Sequence, residues 1–295
     1  MEKSNLTYHR RELFKKGTFL FIIILYYFLN ILWIKKLFAS TNSKMTHTAD
    51  EALASLIQGN AKFVKVLNTP SQSSSINEIY CNDLIQKKVL DRKQEFIKVR
   101  DEQSPKAIII GCADSRVSPE IIFDEGIGSL FVIRLAGNFI EGAGHSISGS
   151  IEYAVTHLGV RLIIILGHQK CGAISAALEK ILNPFNNSTS NLKSTTVNTS
   201  HDSIEPLEEL ITILKKNMNK NDIENTIITL SQSTANKDNL LDKLMNEAIR
   251  KNVNVGVEYL SKQSKYTTLL NSKGKDKLVI KGAIYSLDTG KVDFI

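Results

Sequence analysis

Four short apolar runs recur along the chain and indicate its fold class. They are Ala107–Ile110, Leu130–Ile133, Arg161–Leu166 and Leu278–Ile284. Runs of this length, without alternating polar positions, are typical of strands that are covered on both faces of a parallel sheet. Helical patterns separate them, so we predict an α/β domain with a mainly parallel central sheet of about four to five strands flanked by helices. Ligands of such sheets bind beyond the carboxyl ends of the strands.

The helical patterns have recognisable starts and ends. Thr48 to Glu51 has the spacing of a capping box, which predicts a short helix that ends before Gly59. Further helical periodicity covers residues 84–100, 205–216 and 238–261. Between the third and fourth apolar runs, residues 183–203 contain 14 Asn, Ser or Thr among 21 positions. This composition cannot form a core, so we predict a low-complexity insert there.

A hydrophobic segment near the N-terminus predicts the cellular location. Residues 18–34 are almost entirely apolar, with basic clusters on both sides. Their length fits both an export signal and an uncleaved membrane anchor, and a buried core helix is the less favoured alternative. We therefore expect a basic and hydrophobic signal or anchor segment at 1–44, followed by a main domain at 45–295. The protein would be membrane-anchored or exported (periplasmic, secretory or organellar), because the larger basic cluster precedes the apolar run.

The net charge argues against a nucleic-acid partner. The formal charge is +7, but residues 1–44 hold eight Lys or Arg against two Glu. The remainder of the chain is therefore nearly neutral and offers no basic surface of the kind that binds a phosphate backbone.

The cysteine content does not indicate a disulfide-bonded protein. The chain has three cysteines, an odd and small number, and they do not fall in a regular disulfide framework.

Two cysteines and one histidine lie at the ends of two predicted strands. Cys112 follows the first apolar run, and His168 and Cys171 follow the third. Two thiolates and one imidazole suit Zn²⁺, and three protein ligands leave the fourth tetrahedral position open, as in catalytic zinc sites. Each residue alone would more often be structural, but their joint position at one sheet edge predicts a zinc site. We expect one Zn²⁺ per subunit, with no role for the third cysteine, Cys81.

An acidic and a basic residue follow the first of these cysteines. Asp114 lies two residues after Cys112, so on an extended backbone both side chains project to the same side. Arg116 is placed to pair with Asp114. A carboxylate that a guanidinium keeps ionised can accept a hydrogen bond from a zinc-bound hydroxide and orient it toward an electrophile. We therefore predict Asp114 and Arg116 as a catalytic dyad.

These motifs resemble the two signature motifs of the β-class carbonic anhydrases. The first reads Cys-Ala-Asp-Ser-Arg-Val at 112–117, and the second reads Gly-His-x-x-Cys-Gly at 167–172. The likeness extends over about residues 48–295. It implies the β-carbonic anhydrase fold and the zinc-dependent reversible hydration of CO₂ to bicarbonate and a proton.

The resemblance also implies roles that the patterns alone do not give. Gln103 matches a substrate-orienting glutamine, and Phe131 and Tyr153 match the aromatic walls of the pocket. In some members the residue matching Asp114 also ligates zinc. Members with a bicarbonate-operated switch have Trp where this chain has Ile109, so we do not expect that switch here. The family forms oligomers with shared active sites, which implies a homodimer or homotetramer.

Two other functions remain open from the sequence. The same fold and zinc site could act on CS₂ or COS, and a comparison of CO₂ and CS₂ turnover would decide between these substrates. A metal-stabilised scaffold without activity would be expected to have lost Asp114, Arg116 or Gln103, and all three are present.

Overall fold

The computed structural model describes residues 47–68, 97, 99–182, 205–219, 221, 223, 228 and 237–295. Residues 45–295 form one compact unit. The predicted segment 1–44, the insert 183–203, Cys81 and most of the predicted helix at 84–100 lie outside the described residues. In the part of the chain that is described, no helix is both long and apolar enough to cross a membrane. Membrane anchoring and cellular location therefore stay predictions.

A five-stranded sheet organises the described residues. Its strands are β1 (Ala107–Cys112), β2 (Leu130–Leu135), β3 (Leu162–His168), β4 (Val279–Tyr285) and β5 (Val292–Phe294). The spatial order is β2-β1-β3-β4-β5, with β5 antiparallel to β4 and all other neighbours parallel. The predicted α/β architecture is confirmed. The first four strands end one or two residues beyond their predicted ends, because backbone pairing continues through Cys112 and His168.

Helices cover both faces of this sheet. They are α1 (Ala49–Leu67), α2 (Pro119–Ile122), α3 (His145–Thr156), α4 (Gly172–Leu182), α5 (Glu205–Asn217), α6 (Lys237–Ser261) and α7 (Thr267–Leu270). Every residue of β1 and β3 is buried, as expected for central strands. Leu56 of α1 packs with Ile109 and Ile164 on one face, and Ile151 of α3 packs with Ile108 and Ile163 on the other.

The first helix starts as predicted but is longer. Thr48 Oγ1 accepts a hydrogen bond of 3.2 Å from the Glu51 backbone N–H, and Glu51 Oε2 accepts one of 2.7 Å from the Thr48 N–H. The helix does not stop before Gly59. A Cβ at this position would lie 1.7 Å from the backbone oxygen of Phe123. Gly59 therefore allows a close approach between α1 and the end of α2, and its presence does not mark a helix end.

Helix α6 also approaches the sheet closely, next to the carboxyl end of β3. A Cβ on Gly167 would lie 2.7 Å from a methyl group of Val253, and a Cβ on Gly282 would lie 2.6 Å from the other methyl group. Gly167 directly precedes His168. The two glycines thus let α6 lie against the sheet beside a predicted zinc ligand.

Candidate metal centre

The three predicted zinc ligands converge on one point. The ligand atoms of Cys112, His168 and Cys171 all lie within 4.8 Å of one another, and all three residues are buried. The two sulfur atoms are 3.9 Å apart. Two thiolates on one tetrahedral Zn²⁺, each at about 2.3 Å, would be about 3.8 Å apart. His168 Nε2 is buried and has no hydrogen-bond partner among the described residues, as expected for a metal ligand. The donor set and its spacing therefore fit zinc.

Strand ends and one tight turn position these ligands. Cys112 is the last residue of β1, His168 is the last residue of β3, and Cys171 directly precedes α4. Lys170 has a φ of 53°, in the left-handed region, which turns the chain from the strand into the helix. His168 Nδ1 lies 2.9 Å from the carbonyl oxygen of Gln169. A carbonyl oxygen only accepts hydrogen bonds, so Nδ1 carries the proton and Nε2 is left free to bind a cation.

Hydrogen bonds to sulfur favour a thiolate at Cys112. A hydrogen bond from the Cys171 thiol, followed by two backbone N–H groups, lowers the pKa of Cys112. Those N–H groups belong to Gly137, at 3.3 Å, and to Asp114, at 3.4 Å. The same sulfur contact, together with burial, raises the pKa of Cys171. A cation between the two sulfurs would remove the repulsion that keeps the second thiol protonated.

The predicted ion pair lies beside the ligands. Arg116 donates from Nε to Asp114 Oδ1 at 3.0 Å and from a terminal nitrogen to Oδ2 at 2.7 Å. These bonds, followed by the Arg116 backbone N–H, hold the pKa of Asp114 well below its usual range. Asp114 Oδ2 is 3.9 Å from His168 Nε2. Arg116 also donates to the carbonyl oxygen of Lys170 at 3.1 Å, which ties together the two loops that carry the ligands.

The three residues implied only by the resemblance form a second cluster. Gln103 Nε2 donates a hydrogen bond of 3.1 Å to the Tyr153 hydroxyl, and the rings of Phe131 and Tyr153 lie 6.3 Å apart. Within one chain, Phe131 and the ligand Cys112 lie at different heights along their paired strands. Cys112 pairs with Leu135, and Phe131 lies four residues earlier on β2. That separation corresponds to about 13 Å along the strand.

Two contributors to the site were missed by sequence reasoning. Arg134 donates to the carbonyl oxygen of Cys112 at 3.0 Å and to that of Asp114 at 2.5 Å, so it holds the loop between them. A charged residue near the carboxyl end of an otherwise apolar strand was an available signal for Arg134. The N–H group of Gly137 left no such signal, because almost every residue carries a backbone N–H group and the sequence does not show which of them contacts the sulfur.

Comparisons with known proteins agree with this geometry. A protein-family model described as carbonic anhydrase matches residues 107–292, which is more than half of the chain. Carbonic anhydrase 2 of Mycobacterium tuberculosis is 60% identical over 79 residues, which cover 27% of this chain and 37% of that protein. The chain thus aligns with less than half the length of this curated relative.

Solved structures show the same fold. The β-carbonic anhydrase CcaA has a TM-score of 0.51 at 22% identity, covering 72% of this chain and 86% of that one. One of two tetrameric β-carbonic anhydrases from Sordaria macrospora has a TM-score of 0.50 at 22% identity. The match covers 72% of this chain and 90% of that one.

Removing a ligand should remove the metal. We expect the purified full-length chain to contain about one equivalent of zinc, and Cys112→Ala or His168→Ala to lose most of it, because two ligands do not retain Zn²⁺ against a chelator. Metal content by inductively coupled plasma mass spectrometry, after dialysis against a chelator, measures this. Cys81→Ala is the matched control and should keep its zinc. Full zinc retention in both ligand variants would show that the metal binds elsewhere.

Proposed function

We propose that this chain, which belongs to the β-class carbonic anhydrase family, catalyses the reversible hydration of CO₂ to bicarbonate and a proton with one zinc ion per subunit. The observation that carries this proposal is the buried cluster of Cys112, His168 and Cys171 with the ionised Asp114 beside it. When bound, the zinc ion supplies Lewis acidity that lowers the pKa of water to about 7 and makes it a nucleophile.

Asp114 orients the reacting water in this proposal. Its carboxylate stays ionised because Arg116 donates to both of its oxygens, so it can only accept a hydrogen bond. The hydrogen bond that Asp114 accepts from the water fixes the direction of the oxygen lone pair that attacks CO₂. Arg116 holds this carboxylate in place. Its remaining described side-chain hydrogen bond goes to the Lys170 carbonyl group, so Arg116 does not itself need to contact the substrate.

A second copy of the chain completes the pocket in this proposal. CO₂ has three atoms and spans far less than the separation of about 13 Å along β2 between Phe131 and Leu135, the residue that pairs with Cys112. We infer that Gln103, Phe131 and Tyr153 from one chain reach the metal centre of another, in a homodimer or homotetramer. Tyr153 is 41% exposed, which leaves its ring available for such a contact. The tetrameric proteins from Sordaria macrospora, which share the fold, are consistent with an oligomer.

Replacing the carboxylate should lower activity without removing the metal. In Asp114→Asn the side chain can donate a hydrogen bond, so the water loses its fixed orientation and we expect kcat/KM to fall about 100-fold. Stopped-flow CO₂ hydration with parallel zinc quantification measures this. Asp293→Asn removes a carboxylate from an exposed pair with Lys291 and should match the unmodified protein. Unchanged kcat/KM in a zinc-loaded Asp114→Asn protein would eliminate the proposed role.

The shared pocket can be tested by mixing two inactive variants. In a mixed dimer of Asp114→Asn and Gln103→Ala, one site carries both changes and the other carries neither. Co-expression with two different affinity tags, followed by tandem purification, isolates such mixed oligomers. We expect mixed dimers to recover about half of the wild-type activity, because one of their two sites is intact. Mixed oligomers as inactive as the parent variants would mean that each chain supplies its own Gln103.

A further inference from the structure

We propose that Asn252 on α6 is a positioning residue for the metal ligand Cys112, which it reaches through the backbone of Gly137. The inference rests on the zinc site of the proposed function. Asn252 is 2% exposed, and its Nδ2 donates a hydrogen bond of 2.7 Å to the carbonyl oxygen of Gly137. The N–H group of the same glycine donates to Cys112 Sγ at 3.3 Å. Each of the two peptide groups flanking Gly137 thus makes one of these hydrogen bonds.

The buried amide of Asn252 is only half satisfied. Its Oδ1 is buried and has no hydrogen-bond partner among the described residues. Burying such an acceptor costs free energy, and an apolar side chain of similar size would avoid that cost. The described interaction that offsets this cost is the bond to Gly137. The bond to the Gly137 carbonyl oxygen is therefore the described reason for an amide side chain at position 252.

The Gly137 segment needs support from outside. Gly137 has a φ of 77° and Asn138 a φ of 44°, so two consecutive residues are in the left-handed region. Asn tolerates this region better than most other residues, but a non-glycine residue there still costs some free energy that the surroundings must offset. A Cβ on Gly137 would lie 3.0 Å from a methyl group of Leu210 and 3.3 Å from the Ala173 Cβ. The close packing around Gly137 and the bond from Asn252 together fix the direction of its N–H group.

Fixing this N–H group sets the donor strength of Cys112. A hydrogen bond to a thiolate withdraws electron density from sulfur and orients the lone pairs that remain for the metal. Helix α6 already lies next to the other strand end, because Val253 packs over Gly167 beside His168. Neighbouring residues of one helix thus contact Gly167, which precedes His168, and Gly137, whose N–H group bonds to Cys112.

The test compares Asn252→Leu with Asn254→Leu in the full-length chain. Asn254 is exposed on the same helix, so the same substitution there serves as the matched control. Zinc affinity is measured by chelator competition, and the thiolate-to-metal charge-transfer band is measured after Co²⁺ replaces zinc. We expect Asn252→Leu to bind zinc at least about tenfold more weakly, because Cys112 loses the support that fixes its orientation toward the metal. We also expect the cobalt band to shift to lower energy, because a thiolate with a weakened N–H hydrogen bond is more electron-rich. Asn254→Leu should change neither.

The outcomes separate this inference from the proposed function. If the unmodified protein binds neither zinc nor cobalt through thiolate, the proposed function fails. If it binds both and Asn252→Leu has the same cobalt band, Asn252 does not position Cys112 and the inference is overturned, even where thermal stability falls. If Asn252→Leu does not fold, Asn252→Ala, which removes the amide donor without adding a charge, decides by the same two readouts.

Discussion

The parallel pairing of β1 with β3 sets the relative positions of Cys112 and His168 in the candidate metal centre. Gly111 pairs with Leu166, so Cys112 and His168 end adjacent strands at the same edge of the sheet. The tight turn at Lys170 then brings Cys171 back toward both, at the start of α4. A shift of this register by one residue would move Cys112 to the opposite face, and the three ligand atoms would no longer meet.

Hydrogen bonds from two arginine side chains to backbone carbonyl groups help to hold the loops around this centre. Arg134 binds two carbonyl oxygens of the segment after β1, and Arg116 binds the Lys170 carbonyl oxygen of the segment after β3. Two guanidinium groups thus satisfy backbone acceptors that the ends of the strands leave open. The same Arg116 keeps Asp114 ionised, so the group that stabilises the loop also fixes the charge that the proposed reaction uses.

Local signals explain which parts of this arrangement the sequence predicts. The apolar runs, the capping box at Thr48 and the convergence of Cys112, His168 and Cys171 depend on residue type and spacing, and each is confirmed. The reason for a glycine at position 59, inside α1, is a close approach to Phe123, more than sixty residues away. The bond between Asn252 and Gly137 likewise joins residues that are distant in sequence. Such contacts leave no periodic pattern, so only the folded structure shows them.

The coordination sphere of the bound metal tests the account most directly. X-ray absorption spectroscopy at the zinc edge of the purified protein counts sulfur and nitrogen or oxygen neighbours. We expect two sulfur atoms at about 2.3 Å, with the remaining neighbours, one of them an imidazole nitrogen, at about 2.0–2.1 Å. A sphere of four sulfur atoms, or one without sulfur, would contradict the assignment of Cys112, His168 and Cys171 as the ligands of one ion.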